Sequence, residues 1–511
     1  MTTDTTKRRR AGGREARKAA RITMSDAPNP CPPGALGGRY QPLRDDECTQ
    51  IIDTAMRILA EIGMGEVPER LQTQALAKGA RLNHHGRLCF PRELIQEIIA
   101  GACKSFTYMG RRPERDIEIG GERVFFGTGG AAAQPLDLTS GRYRPSTLAD
   151  LVDFARLVDR LDAISWFTRC CVATDLEDIF ELDLNTVFAL LKGTSKPVGT
   201  SFTLAEHVPP IMTMVDEVLA ATGAPPFIER PFMKAHISPI ISPLRYGEDA
   251  VDVTLACIEH GIPINAIIAA QSGATAPATL AGFLAQTTAE TLAALALVNL
   301  FKPGYPMIFS NWPLVIDLRT GAFCGGGGEI SVLNAASAQI SNRLGLISGV
   351  ASSMSDAKAV DAQMGSEKAM SSVAAGLSGA NMVYESAGMM GSLLGASFEA
   401  FVADNEMLSH VNRMIRGVDV NEDTLGFQAI LDAIQGDGHF LGADHTIAAM
   451  QRDYYYPPLA DRQTPVEWND AGGPQMWQRA KQKAQEILAD RTVPLIDPGL
   501  EADLRKRYPL R

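Results

Sequence analysis

The sequence predicts an α/β protein: a (β/α)8 TIM-type barrel with a helical N-terminal cap and a helical C-terminal extension. Two observations lead there. Between Val124 and Arg416 one pattern recurs eight times: a short apolar run, a break rich in Gly, Ser, Pro and Thr, then an amphipathic stretch of helical period. Each unit takes about 35 residues, and strands alternating with helices at that spacing close into a barrel rather than spread as an open sheet.

The eight runs begin at Val124 (VFFGTGG), Ala163 (AISWFTRCCVA), Lys196 (KPVGTSF), Phe232 (FMKAHISPI), Pro263 (PINAIIAAQSG), Tyr305 (YPMIFSNW), Leu346 (LISGVASSMS) and Ala380 (ANMVYESAG). They define a barrel over residues 122–416. The chain has 511 residues, more than one barrel needs, so further elements flank it. Residues 1–37 form a basic arm with KRRRAGGREARKAAR from Lys7, too poor in apolar residues to pack alone. It reads either as an electrostatic handle for a partner or as a solvated tail. Residues 38–121 carry two helical patterns, from Cys48 and from Phe90, the second opened by Pro91 where a helix tolerates proline. Residues 417–511 read as helices and loops, ending in a helix near GPQMWQRAKQKAQEILADR.

Net charge is −11 and pI near 5.4, which argues against a nucleic-acid-binding body. No run of ~18 uninterrupted apolar residues predicts a membrane span. The eight cysteines are scattered, with neither a CxxC pair nor a signal-peptide pattern, which fits a reduced, cytoplasmic protein without a metal site. Cys170 and Cys171 read as small strand residues facing opposite sides of the sheet.

Barrels of this type place chemistry at the C-terminal ends of their strands. Strand one ends in Gly127-Thr128-Gly129-Gly130, and strand five in Gln271-Ser272-Gly273-Ala274-Thr275. Strand six ends in Ser310-Asn311-Trp312, followed by Gly325 to Gly328, and strand seven in Ser352 to Asp356. Neither nucleotide-binding glycine motif occurs in its strand–loop–helix setting, so these glycines serve tight turns or the close approach of a ligand. His236 is the one histidine inside a predicted strand, either a polar ligand contact or a hydrogen-bonded structural residue. Of the carboxylates near strand ends, Asp356 and Glu385 fall on adjacent strands and are the candidate catalytic pair. They could accept a proton or complement a cation; Asp356 could equally cap a helix. An acid inside an apolar run, as Glu385 is, costs free energy unless it has a partner. Rings gather at strand ends too: Phe125, Phe126, Trp166, Phe167, Phe202, Trp312 and Tyr384. Ring faces attract a quaternary ammonium by ~2 kcal/mol when desolvated.

Several segments together resemble the trimethylamine methyltransferase family of corrinoid-dependent enzymes, nearly to Trp468. They include the arginine-rich arm, LDLTSGRYRPSTLADL from Leu136, ISPIISPLRYGEDA from Ile237, SGATAPATLAG from Ser272 and DLRTGAFCGGGGE from Asp317. SDAKAVDAQMGSEKA from Ser355, SFEAFVADNEML from Ser397 and GHFLGADHTIAAMQRDYYYPPLADR from Gly438 extend the match. The resemblance implies a barrel that holds a methylated amine at its mouth. A separate corrinoid protein docks there with cobalt(I), and no cofactor is tightly bound in this chain. Archaeal trimethylamine enzymes of the family carry pyrrolysine, whereas this sequence has only standard residues. That points to the branch resembling glycine betaine methyltransferases.

The chemistry agrees with that branch. A neutral tertiary amine must be activated before it can leave, whereas a quaternary ammonium leaves as a neutral amine and needs only desolvation and in-line positioning. The substrate set expected from this is Phe126, Trp166, Phe202, His236, Gln271, Trp312, Ser353 and Tyr384, with His236 or Arg169 for a carboxylate. Arg169 has an outward salt bridge as its alternative. Gly129, Gly130, Ser272, Gly273, Thr275 and Gly326 are the expected corrinoid-docking residues. Trimethylamine, choline, carnitine and proline betaine remain alternative substrates, and a non-catalytic methylated-amine sensor the alternative function. A homo-oligomer is expected.

Overall fold

The computed structural model describes residues 40–121, 123–436, 438–441, 443–490 and 495–511; the basic arm lies outside them. Each of the eight apolar runs contains one strand: β1 Phe125–Phe126, β2 Phe167–Thr168, β3 Val198–Thr200, β4 Met233–Ile237, β5 Ile264–Ile268, β6 Met307–Asn311, β7 Ser348–Ala351 and β8 Met382–Tyr384. They form one parallel sheet in the order β1-β8-β7-β6-β5-β4-β3-β2. Its two ends meet. The Ser165 N–H donates to the Phe126 carbonyl at 2.7 Å and the Thr128 N–H to that of Trp166 at 3.4 Å, which joins β1 to β2 and closes the curl.

The intervening helices are α1 Leu148–Asp159, α2 Ile179–Gly193, α3 Val208–Ala221, α4 Glu248–Glu259, α5 Leu280–Phe301, α6 Gly328–Arg343, α7 Ala362–Leu377 and α8 Phe398–Arg416. Four begin on a side chain that accepts a free backbone N–H: Thr147 for α1, Asp178 for α2, Asp361 for α7 and Ser397 for α8. Each such cap is worth ~1 kcal/mol. Helix α5 is long and apolar enough to cross a membrane, but 83% of its apolar window is buried inside the protein, so it is a core helix of the barrel.

Ahead of the barrel lie helices Asp45–Arg57, Glu69–Ala77 and Arg92–Gly101. The same region holds two hairpins that helical periodicity does not reveal, Arg81–Leu82 with Leu88–Cys89 and Ser105–Tyr108 with Ile117–Gly120. The second brings Tyr108 into the apolar cluster inside the barrel, where its hydroxyl donates to the Val198 carbonyl of β3. After α8 come six helices among the described residues, of which Met476–Ala489 packs on α8 and α1. Helix Phe427–Gln435 instead turns Phe427, Ile430 and Ile434 to solvent. Cys170 and Cys171 follow β2 rather than lying in it, and both are buried.

Candidate active site

Alternation along each strand sends every second side chain inward. On β4 these are Lys234 and His236, on β5 Asn265 and Ile267, on β6 Ile308 and Ser310, and on β8 Met382 and Tyr384. Large rings fit inside because their neighbours are small. A Cβ on Gly127 would fall within the Trp166 indole, and one on Gly199 would lie 3.0 Å from His236 Nε2.

Four rings meet inside the barrel: Trp312 and Tyr384 at the C-terminal ends of β6 and β8, His236 near that of β4, and Trp166 just ahead of β2. Tyr384 lies 5.2 Å from Trp166, 5.1 Å from His236 and 5.1 Å from Trp312 between ring centres, and His236 lies 6.1 Å from Trp312. His236 is held from both sides. The Ser310 hydroxyl donates to Asn265 Oδ1, which turns the Asn265 amide nitrogen towards His236 Nδ1 at 3.3 Å. Nδ1 therefore accepts, and Nε2–H faces the Thr168 hydroxyl at 3.2 Å. Burial, then the charges of Lys234 and Arg169, push the imidazole well below its usual 6.5, so it is neutral at pH 7.

Against the same rings, Lys234 Nζ lies 4.5 Å from the centre of the Tyr108 ring and 5.2 Å from those of Trp166 and Tyr384. It donates to the Tyr108 hydroxyl at 3.0 Å and approaches that of Thr168 at 3.4 Å. The side chain is fully buried, and burial pushes the ammonium well below its usual 10.5.

Glu385 follows β8 in a left-handed conformation, φ +61°, with its carboxyl buried. Burial raises its pKa to about 8, although the charges of Lys368 and Arg169 oppose the shift. Lys368 is itself paired with Asp404 at 2.8 Å. The turn after β1 covers the carboxyl: a Cβ on Gly129 would lie 3.0 Å from Oε1, and one on Gly130 2.8 Å from Oε2. Among the described residues Glu385 Oε2 and the indole N–H groups of Trp166 and Trp312 have no hydrogen-bond partner. Buried polar groups without partners are uncommon, and three in one barrel interior leave valences that a bound molecule can meet.

The other nominated residues are dispersed. Phe126 is turned away from the interior, near Gly376 of α7, while its neighbour Phe125 packs on the interior cluster. Phe202 is buried in the apolar layer shared with the helices. Gln271 is exposed, and its backbone N–H meets the Thr275 hydroxyl at 2.8 Å in a tight turn that also carries Ser272 and Gly273. Ser353 is buried at φ +67° and bonds to Ser371 and Ser372 of α7. Asp356 caps no helix. It accepts the Gly325 N–H at 2.7 Å and the Ser392 hydroxyl at 2.6 Å, tying two loops together. Gly326 packs against the Glu367 carboxyl. Arg169 is half-buried and feels the charges of Asp183 and Glu385, so it does not stand outward in a surface pair. Among the described residues no three His, Cys, Asp or Glu side chains converge as a metal ion would require.

The profile of the family described as trimethylamine methyltransferase (MTTB) matches residues 6–509 of this chain. The protein belongs to that family. This methyltransferase is 29% identical over 475 residues to the glycine betaine methyltransferase of Desulfitobacterium hafniense (strain Y51), across 92% of this chain and 97% of that one. It is 28% identical over 463 residues to the trimethylamine methyltransferase MttB of Desulfitobacterium hafniense (strain DSM 10664 / DCB-2), across 90% and 92% of the two chains. Among solved structures it is similar to the monomethylamine methyltransferase MtmB of Methanosarcina barkeri, with 13% identity, a TM-score of 0.49 and 90% of each chain covered. Members of the methyltransferase family pass the methyl group of a methylated amine to a corrinoid protein.

Reading the methyltransferase from sequence misses Lys234, Thr168, Asn265 and Tyr108. The first was within reach: Lys234 stands two residues before His236, so both leave the same face of β4. Tyr108 was not, because no strand-end rule points to a hairpin outside the repeats.

Proposed function

We propose that this methyltransferase removes a methyl group from a quaternary amine of the betaine type and passes it to a partner corrinoid protein. The observation that carries the reading is the meeting of Trp166, His236, Trp312 and Tyr384 inside the barrel. Their faces suit a trimethylammonium head, each desolvated contact contributing up to ~2 kcal/mol. The neutral imidazole of His236 adds polarity without a repelling charge. Glu385, the buried acid beside Gly129 and Gly130, is held protonated near neutral pH by burial and offers the head group a polar contact through its unpartnered Oε2 rather than a full negative charge; Asp356 acts by fixing the Gly325 loop. No proton donor is required, because the C–N electron pair stays on nitrogen and the product leaves as a neutral amine.

The partner's corrinoid supplies cobalt(I), the nucleophile that takes the methyl group. The turn of Gln271, Ser272, Gly273 and Thr275, exposed at Gln271 and Gly273, and the Gly129-Gly130 turn after β1 are where the second protein docks in this reading. Gly326, expected at the same surface, is instead buried against the Glu367 carboxyl. The reaction belongs in the cytoplasm, where the free cysteines stay reduced. The test is turnover of glycine betaine, choline, carnitine, proline betaine and trimethylamine with the reduced corrinoid protein, followed by the absorbance change on methylation. Quaternary substrates should turn over and trimethylamine should not; the reverse order would overturn the reading.

A further inference from the structure

Three lysines are buried among the described residues: Lys196, Lys234 and Lys368. Two have their charge answered by the protein. Lys196 donates to the carbonyls of Val158, Leu161 and Ile164 at 2.6–2.7 Å, three acceptors for the three N–H bonds of an ammonium. Lys368 pairs with Asp404. Lys234 has two neutral hydroxyls and three ring faces, and no carboxylate forms an ion pair with it. A desolvated ammonium without a counter-charge is unfavourable, and the deficit is removed when an anion arrives.

Its position gives the anion a source. Attack on a methyl carbon must be in line with the breaking C–N bond. A corrinoid approaching at the mouth therefore needs one methyl turned outward, which leaves the other substituents on nitrogen pointing down the barrel. Lys234 and His236 are two residues apart on β4, so their backbones stand ~6.6 Å apart along the strand, and Lys234 Nζ reaches to 5.2 Å from the Trp166 and Tyr384 ring centres. An ammonium seated among the rings, with its carboxylate one methylene further down, spans that interval. Arg169, the other cation nearby, follows β2 and is acted on by the carboxylate of Asp183 and by Glu385, whereas no carboxylate acts on Lys234.

We infer that Lys234 is the specificity-determining residue of the site: it binds the carboxylate of a zwitterionic quaternary amine from the floor of the barrel. The inference rests on the methylated-amine reading above. It makes the deep end of the pocket select a carboxylate over a hydroxyl, and so glycine betaine over choline, two molecules that share a head group.

Calorimetric titration of the full chain with glycine betaine and with choline tests it, for the wild type and for Lys234→Met, which keeps length and removes charge. A charge-assisted contact in a buried site is worth ~10–100-fold in affinity. Wild type should prefer glycine betaine by that factor, and Lys234→Met should lose it while choline binding stays within ~3-fold. An unchanged preference, or equal loss of both ligands, overturns the assignment. Should the variant not fold, proton uptake by the wild type decides, read from binding enthalpies in two buffers of different ionisation heat. The titratable groups around Lys234 are the Tyr108 and Tyr384 phenols, both held well above their usual 10 by burial, and the neutral His236, with Arg169 beyond. Uptake with glycine betaine and none with choline supports Lys234; equal uptake overturns it. If both ligands bind without preference, only the Lys234 assignment fails; if neither binds, the methylated-amine reading fails with it.

Discussion

Gly130 lies so close to Glu385 that a methyl group on its Cα would stand 2.8 Å from the carboxyl oxygen Oε2. Its φ of +104° is also a conformation that side-chain-bearing residues rarely adopt. Gly130→Ala should therefore lose about 2–4 kcal/mol of stability, strain and crowding together. Gly141, at φ +67° with nothing within 4 Å of an added Cβ, isolates the strain alone, and Gly141→Ala should lose only ~1 kcal/mol. Denaturant midpoints compare the two; equal losses would mean that crowding against Glu385 and Met389 is unimportant.

The ring group predicts a split between two substitutions at one position. Tyr384→Phe keeps the ring and should leave KM for a quaternary amine within ~3-fold. Tyr384→Ala removes a face shared with Trp166, His236 and Trp312 and should raise KM by ~10–30-fold. Initial-rate kinetics with the corrinoid partner measure both.

Glu385 gives the fold a pH signature. Its carboxyl titrates at about 8 in the folded protein against a usual 4.5, so folding favours the protonated form. That contribution is fully present below pH 4.5 and is lost as pH rises through about 8. Glu385→Gln cannot ionise and should lose this part of the slope of stability against pH. Urea midpoints at steps between those two values check it, and an unchanged slope would remove Glu385 as its source.

Lys196 should matter for stability and not for specificity. Its three carbonyl partners end α1 and the segment leading to β2, and Lys196→Met would strand them without a donor. A loss of about 3 kcal/mol or more is expected, with the preference among amines unchanged in the folded fraction. Thermal melts and the substrate panel provide the two readings.

The barrel was legible because eight runs of apolar residues recur at even spacing, and every one holds a strand. Trp166, His236, Trp312 and Tyr384 were legible as polar or aromatic residues near strand ends. What was not legible is rotation about a strand. Phe125 and Phe126 are equivalent in sequence, yet a period of two sends one to the interior cluster and the other towards α7. Asp356 shows a second limit: a carboxylate beside glycines reads alike whether it meets a ligand or the backbone of its own loops.

The indole of Trp166 occupies the space that any side chain on Gly127 would need. The two positions therefore cannot change in either order. A smaller residue at 166 first would widen the pocket and leave 127 free to vary afterwards, whereas a side chain at 127 first would displace the indole and break the ring group. Descent towards bulkier substrates has a permitted direction, and it begins at Trp166.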